Sequence, residues 1–205
     1  MPSDLIALVA DKNMEHAILG ILSRHQSLGV RPVDREVYVH PERDPGCLRR
    51  CEHFLRPFAG QFERAIVMFD REGCGRDAAS RDELESDVER RLAATGWGSR
   101  SAAIVVDPEL ENWVWSESPH VDDILGWSGV EPTLRDWLVT QRYLTQESAK
   151  PDRPKEAMES ALQAAQVRRS SSLYRELASR VSLTHCADPA FLKLRSLLQA
   201  WFAQN

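Results

Sequence analysis

The sequence predicts an α/β fold: a mostly parallel four-stranded sheet flanked by helices, with an all-helical C-terminal extension. Three observations carry this expectation. Four short runs of strand character, at residues 5–10 (LIALVA), 35–40 (REVYVH), 65–69 (AIVMF) and 102–106 (AAIVV), alternate with segments of helical period. Three of the runs are continuously apolar, as in strands buried on both faces. Beyond residue 113 strand signals cease, and short helical patterns separated by Gly and Pro take over. The expected organisation is an α/β domain at 1–116 and a helical extension at 117–205, packed on or capping it.

Each element has a local reason. The first run breaks at Asp11-Lys12-Asn13, where Asp11 or Asn13 can cap a helix carrying Met14, Ile18, Ile21 and Leu22 and ending at Gly29. Residues 40–46 are rich in Pro, Asp and Gly and read as a loop, and 48–58 read as a helix with Cys51, Leu55 and Phe58 on one face. The third run stops at Asp70, before the turn-forming Arg71-Glu72-Gly73-Cys74-Gly75. Ser80 and Glu83 fit a capping box ahead of Leu84, Val88 and Leu92, and Gly96 closes that helix. After the fourth run, Asp107 is expected as an N-cap with Pro108 in the first helical turn. The extension predicts helices at 121–125, 133–139, 155–167, 172–181 and 189–202, with 149–155 as a connector. The last has Asp188 as its cap, and Phe191, Leu194, Leu198 and Trp201 form one stripe.

Composition narrows the function classes. The 205 residues are 42% hydrophobic, enough for a core and too much for a disordered chain. No apolar run approaches a membrane span, and no basic segment precedes residues 5–10, so a cytoplasmic location without a signal peptide is expected. The net charge of −5 argues against a free-standing, strongly nucleic-acid-binding module. It is compatible with holding divalent cations or borrowing a partner's basic surface. Cys47, Cys51, Cys74 and Cys186 are expected as free thiols. The Cys47/Cys51 pair with nearby His53 lacks the spacing and ligand number of a zinc site.

The chemistry-bearing pattern is acidic. Open α/β sheets bind ligands outside the carboxyl ends of their strands. Three of the four strands end there in carboxylates: Asp11 and Glu15 after the first, Asp70 and Glu72 after the third, and Asp107, Glu109 and Glu111 after the fourth. Mg²⁺ is hard, prefers oxygen and is usually held by one or two carboxylates with waters and substrate phosphates. Without a cation such a cluster repels itself and raises some of its own pKa values.

The runs Leu8-Val9-Ala10-Asp11-Lys12-Asn13-Met14-Glu15, Ile66-Val67-Met68-Phe69-Asp70-Arg71-Glu72-Gly73 and Val106-Asp107-Pro108-Glu109-Leu110-Glu111-Asn112-Trp113 resemble the Toprim-related domains of prokaryotic defence islands, including the RloB-like proteins. Lys150-Pro151, Pro154-Lys155-Glu156 and the helices after them extend the resemblance over most of the chain. It implies a Toprim-like (Rossmannoid) sheet and a component of a bacterial, methylation-associated anti-phage defence system. The implied activity is a Mg²⁺- or Mn²⁺-dependent nuclease or phosphotransfer domain. Asp70 and Glu72 would act with Asp11 or Glu15 in catalysis, and Asp70, Glu72, Glu109 and Glu111 would serve as metal ligands. Other defence-system proteins are the implied partners, with nucleic acid reached through the metal site or a partner. One position departs from the pattern: relatives read Val-Glu-Gly where this chain reads Val9-Ala10-Asp11, so Ala10 stands where the general acid or base is expected. A catalytically inactive Toprim-fold accessory protein is therefore the alternative expectation.

The same residues have plainer readings. Asp70 can simply end a strand, Glu72 can be a solvated turn residue, and Glu109 and Glu111 can favour a helix N-terminus through its dipole. The irregular spacing of Trp113, Trp115, Trp127 and Trp137 fits core packing better than base stacking. Arg168, Arg169, Arg175 and Arg180 could contact phosphates, although such residues more often form a solvated face. His16, His40, His53 and His185 lack ligand or triad spacing. Ser170-Ser171-Ser172 reads as a linker and cap, and no P-loop, dinucleotide fingerprint or nucleophile elbow is present.

Overall fold

Four strands, β1 (Ser3–Val9), β2 (Arg35–Val39), β3 (Phe62–Asp70) and β4 (Ser101–Val106), make one all-parallel sheet in the order β2-β1-β3-β4. The computed structural model describes residues 2–116, 118–183 and 186–204. Leu5 to Val9 and Ala65 to Phe69 have no solvent exposure, which explains their unbroken apolar sequence. Val9 lies opposite Val39 on one side and Met68 on the other, and Asp70 lies opposite Val106, so all four carboxyl ends emerge along one edge.

Helices α1 (Lys12–Leu22) and α2 (His25–Leu28) join β1 to β2, α3 (Arg43–Leu55) joins β2 to β3, and α4 (Arg81–Leu92) joins β3 to β4. The chain steps outward from β1 to β2, then crosses back over β1 to β3. Right-handed crossovers therefore put α1 on one face and α3 with α4 on the other. The winding reverses between β1 and β3, and a crevice opens at their carboxyl ends.

Among the described residues five α-helices follow: α5 (Pro119–Ile124), α6 (Leu134–Thr140), α7 (Pro154–Ala164), α8 (Ser171–Arg180) and α9 (Pro189–Trp201). Helix α8 packs along α1, and α9 packs against β4 and α2. The α1–α8 approach depends on Gly20, where an added Cβ would lie 2.8 Å from both Ala178 Cβ and the Arg175 carbonyl oxygen. The outer edge of β4 is closed by side chains. Glu89 and Glu85 of α4 accept the Ala103 and Val105 N–H groups, each at 3.0 Å, and Lys193 of α9 bridges both carboxylates. The edge amides of β4 are thus satisfied without a fifth strand.

The capping box at Ser80/Glu83 forms, and Asp188 Oδ1 caps α9 through Ala190 and Phe191. Other expectations need correction. Segment 40–46 is not wholly a loop, because α3 starts at Arg43; its Pro45 lies in the first turns, where no donor is required. The helix after β1 is two helices, broken at Ser23-Arg24 before α2 closes on Gly29 in the left-handed conformation (φ 73°). Asp107 caps no helix: a 3₁₀ turn begins later, at Leu110, and the Asp107 carboxylate pairs with Arg71. Trp115 and Trp127 are buried, with indole N–H groups donating to the Pro154 and Ala161 carbonyls, and Trp137 packs on Trp127. His185 lies outside the described residues. No described helix is long and apolar enough to cross a membrane.

Candidate functional site

The β1/β3 crevice brings carboxylates together. Asp70 is the last residue of β3, and its carboxyl oxygen Oδ1 is enclosed without a hydrogen-bond partner among the described residues. Asp11 follows β1 as the N-cap of α1, and its Oδ1 accepts the Met14 N–H at 2.8 Å. Asp44, in the first turn of α3, accepts the backbone N–H of Asp70 at 2.8 Å. Glu109 and Glu111, after β4, are both buried.

The cluster sets its own electrostatics. Burial, then the fields of Asp44, Glu111, Asp11 and Glu109, push the Asp70 carboxyl well above the ordinary carboxylate range. Burial also raises Asp44, opposed by the Asp70 N–H that it accepts. Glu109 is raised by burial and opposed by the Lys155 N–H. The repulsion among these carboxylates, second to burial, therefore bears most on Asp70.

The two glutamates after β4 are engaged by the C-terminal helices. Glu109 Oε1 accepts the Lys155 N–H at 2.9 Å in the first turn of α7. Glu111 Oε1 accepts the Tyr174 hydroxyl at 2.5 Å and Arg169 Nη2 at 3.1 Å, and Arg169 also pairs with Glu159. Burial and the adjacent Glu111 charge raise the Tyr174 hydroxyl, so it remains a donor.

The predicted residues thus divide. Asp11, Glu109 and Glu111 all lie near enough to bear on the Asp70 charge. Glu72 is exposed, and its charge still reaches Glu109. Glu15 pairs with Lys12 at 2.5 Å within the first turn of α1. Ala10, 2% exposed, is part of the core beneath the rim. Asp44 was missed because 40–46 reads as a loop; the strand-end rule applied to the second strand would have found it. Arg169, read as solvated or phosphate-facing, instead pairs with a buried glutamate.

The donor set can be tested against a hard cation. The unpartnered Asp70 oxygen, with Asp11 and Asp44 beside it, suits one. Glu109 and Glu111 already hold protein donors. Among the described residues no group of three or more His, Cys, Asp or Glu side chains is set to hold a metal ion in this conformation. The four cysteines are free; Cys47, Cys51 and Cys74 are buried. Compared with protein families, curated proteins and solved structures, the chain shows no match in any of the three.

Proposed function

We propose that the rim around Asp70 is a divalent-cation site in a Toprim-like nuclease or phosphotransfer domain serving bacterial anti-phage defence. The observation that carries this reading is the enclosed, unpartnered oxygen of Asp70 in the field of four further carboxylates, at the crevice where open α/β sheets bind ligands. Mg²⁺ or Mn²⁺ would be held by Asp70, with Asp11 and Asp44 beside it, and when bound would neutralise charge on phosphate oxygens. In this reading Asp44 fixes the end of β3 through the Asp70 N–H, and Asp11 holds the start of α1 against the same point. Glu72, exposed, would meet substrate or solvent rather than form the centre, and Glu15, mostly covered and paired with Lys12, stands outside it.

Calorimetric titration with Mg²⁺ and Mn²⁺ tests the reading. Wild type is expected to bind at millimolar cation or below, with Asp70→Asn weakening binding by at least about tenfold through loss of one charge-assisted ligand. Absence of binding by every form of the chain would end this proposal.

A second reading has its own observation. With Ala10 buried where the Toprim-related pattern carries Glu, and Glu109 and Glu111 holding the C-terminal helices, the chain would be a non-catalytic member of a defence complex. Unchanged phage protection in an Asp70→Ala/Glu72→Ala strain, with partner proteins still co-purifying, would favour it. Lost protection with folding and assembly intact would favour the cation site.

A further inference from the structure

Glu111 sits at the edge of the proposed cation site but is held by residues far along the chain. Tyr174 donates at 2.5 Å and Arg169 at 3.1 Å to the same oxygen, and the Arg169 guanidinium lies 3.2 Å from the Tyr174 hydroxyl. The segment from α7 to α8 makes two more contacts with strand-end residues. The Lys155 N–H engages Glu109, and the Ser171 hydroxyl donates to Asn13 Oδ1 at 2.9 Å in the turn after β1. One continuous stretch of chain therefore reaches the segments after β1 and after β4, on either side of the end of β3.

We propose that Arg169 is a built-in counter-ion that competes with a divalent cation for Glu111, so that the α7–α8 segment locks the acidic rim until a cation displaces it. This rests on the cation reading above and adds its regulation. Charge supplies the reason. The rim gathers Asp11, Asp44, Asp70, Glu109 and Glu111; Lys155 acts on Asp44 and Glu109 through its field, and among the described residues Arg169 is the cationic side chain that bonds directly to one of the five. A doubly charged ion neutralises such a cluster better than one guanidinium. Its arrival weakens the attraction holding Arg169, and loss of Arg169 leaves Glu111 open to complete the ligand set. Release does not strand the arginine, because its other nitrogen already pairs with the half-exposed Glu159. Glu111 retains the Tyr174 hydroxyl, so opening costs it one partner of two.

The test is a Mn²⁺ titration of the full chain as wild type, Arg169→Met, Arg169→Lys, Tyr174→Phe and Asp70→Asn. Arg169→Met is expected to bind at least about tenfold more tightly than wild type, a charge-assisted bond having been removed from the competing state. Arg169→Lys keeps the charge and is expected to stay near wild type, with Tyr174→Phe in between. Saturating Mn²⁺ is also expected to speed amide exchange across residues 169–180 of wild type and to leave Arg169→Met unchanged. Equal or weaker binding by Arg169→Met, while wild type binds and Asp70→Asn does not, overturns the lock and leaves the cation site standing. No binding by any form overturns both. Should Arg169→Met fail to fold, Arg169→Gln, which removes the same charge, decides: tighter binding supports the lock, and unchanged or weaker binding refutes it.

Discussion

The backbone N–H of Asp70 donates to the Asp44 carboxylate at 2.8 Å, joining the last residue of β3 to the first turn of α3. The bond puts two carboxylates side by side at the point where the winding of the sheet reverses. The protein accepts this repulsion where a neutral pair would be quieter, and the consequences are measurable.

The first concerns pH. Asp70, Asp44 and Glu109 all have raised carboxyl pKa values in the folded chain, with burial as the leading cause. Their contribution to stability is fully present below the unfolded carboxylate pKa of about 4 and is lost as pH rises through the folded values. Asp70→Asn is expected to match wild type near pH 4 and to exceed it by about 1–3 kcal/mol at pH 8, the cost of an unsatisfied buried group. Urea unfolding at both pH values measures this, and a pH-independent difference would rule out Asp70 as the titrating group.

A second prediction concerns the edge of the sheet. Glu85 is buried, accepts the Val105 N–H at 3.0 Å and pairs with Lys193 at 3.0 Å. Glu85→Ala is expected to cost about 2–3 kcal/mol, because a β4 amide loses its charged acceptor while Lys193 keeps Glu89. Chemical denaturation gives the loss, and faster exchange of the Val105 amide locates it.

The α1–α8 contact gives a third. Gly20→Val places side-chain atoms where even a Cβ meets Ala178 and the Arg175 carbonyl at 2.8 Å. The variant is expected to lose at least about 2 kcal/mol through overpacking. Differential scanning calorimetry would detect it, and wild-type stability would show that α8 moves aside freely.

Thiol chemistry provides the fourth. Burial raises Cys47 well above its ordinary value and pushes Cys51 up to about 12, so neither presents a thiolate at neutral pH. Cys186 is the one free cysteine that is not fully buried. Alkylation of native protein followed by mass spectrometry is expected to modify Cys186 first, with Cys47 and Cys51 reacting only after unfolding. Prompt labelling of Cys47 or Cys51 in the folded chain would contradict this burial.

Much of the architecture was legible locally. The apolar runs at 5–10, 65–69 and 102–106 mark the three strands with both faces covered, since almost no part of any of them meets water. Ser80/Glu83 and Asp188 mark helix starts because the capping bond itself reaches only the first turn, although Asp188 also accepts the Asn112 and Trp113 side chains. Reading failed where local signals conflicted. Pro45 and Gly46 made the start of α3 look like a loop, yet Pro45 needs no donor in a first turn, and Gly46 packs where a Cβ would strike the His40 ring at 2.1 Å.

For the site, the sequence alone determined which carboxylates follow strands, and hence that an acidic rim forms at the carboxyl edge of the sheet. The tertiary structure alone decided which of them meet and what answers their charge. Asp70 meets Asp44 across 26 residues, and Glu111 meets Arg169 across 58. Strand order and helix packing create those contacts, and neither is written in the spacing of residues along one element. Helix periodicity and caps act over a single turn, whereas the Coulomb field of a buried cluster depends on every element that closes around it.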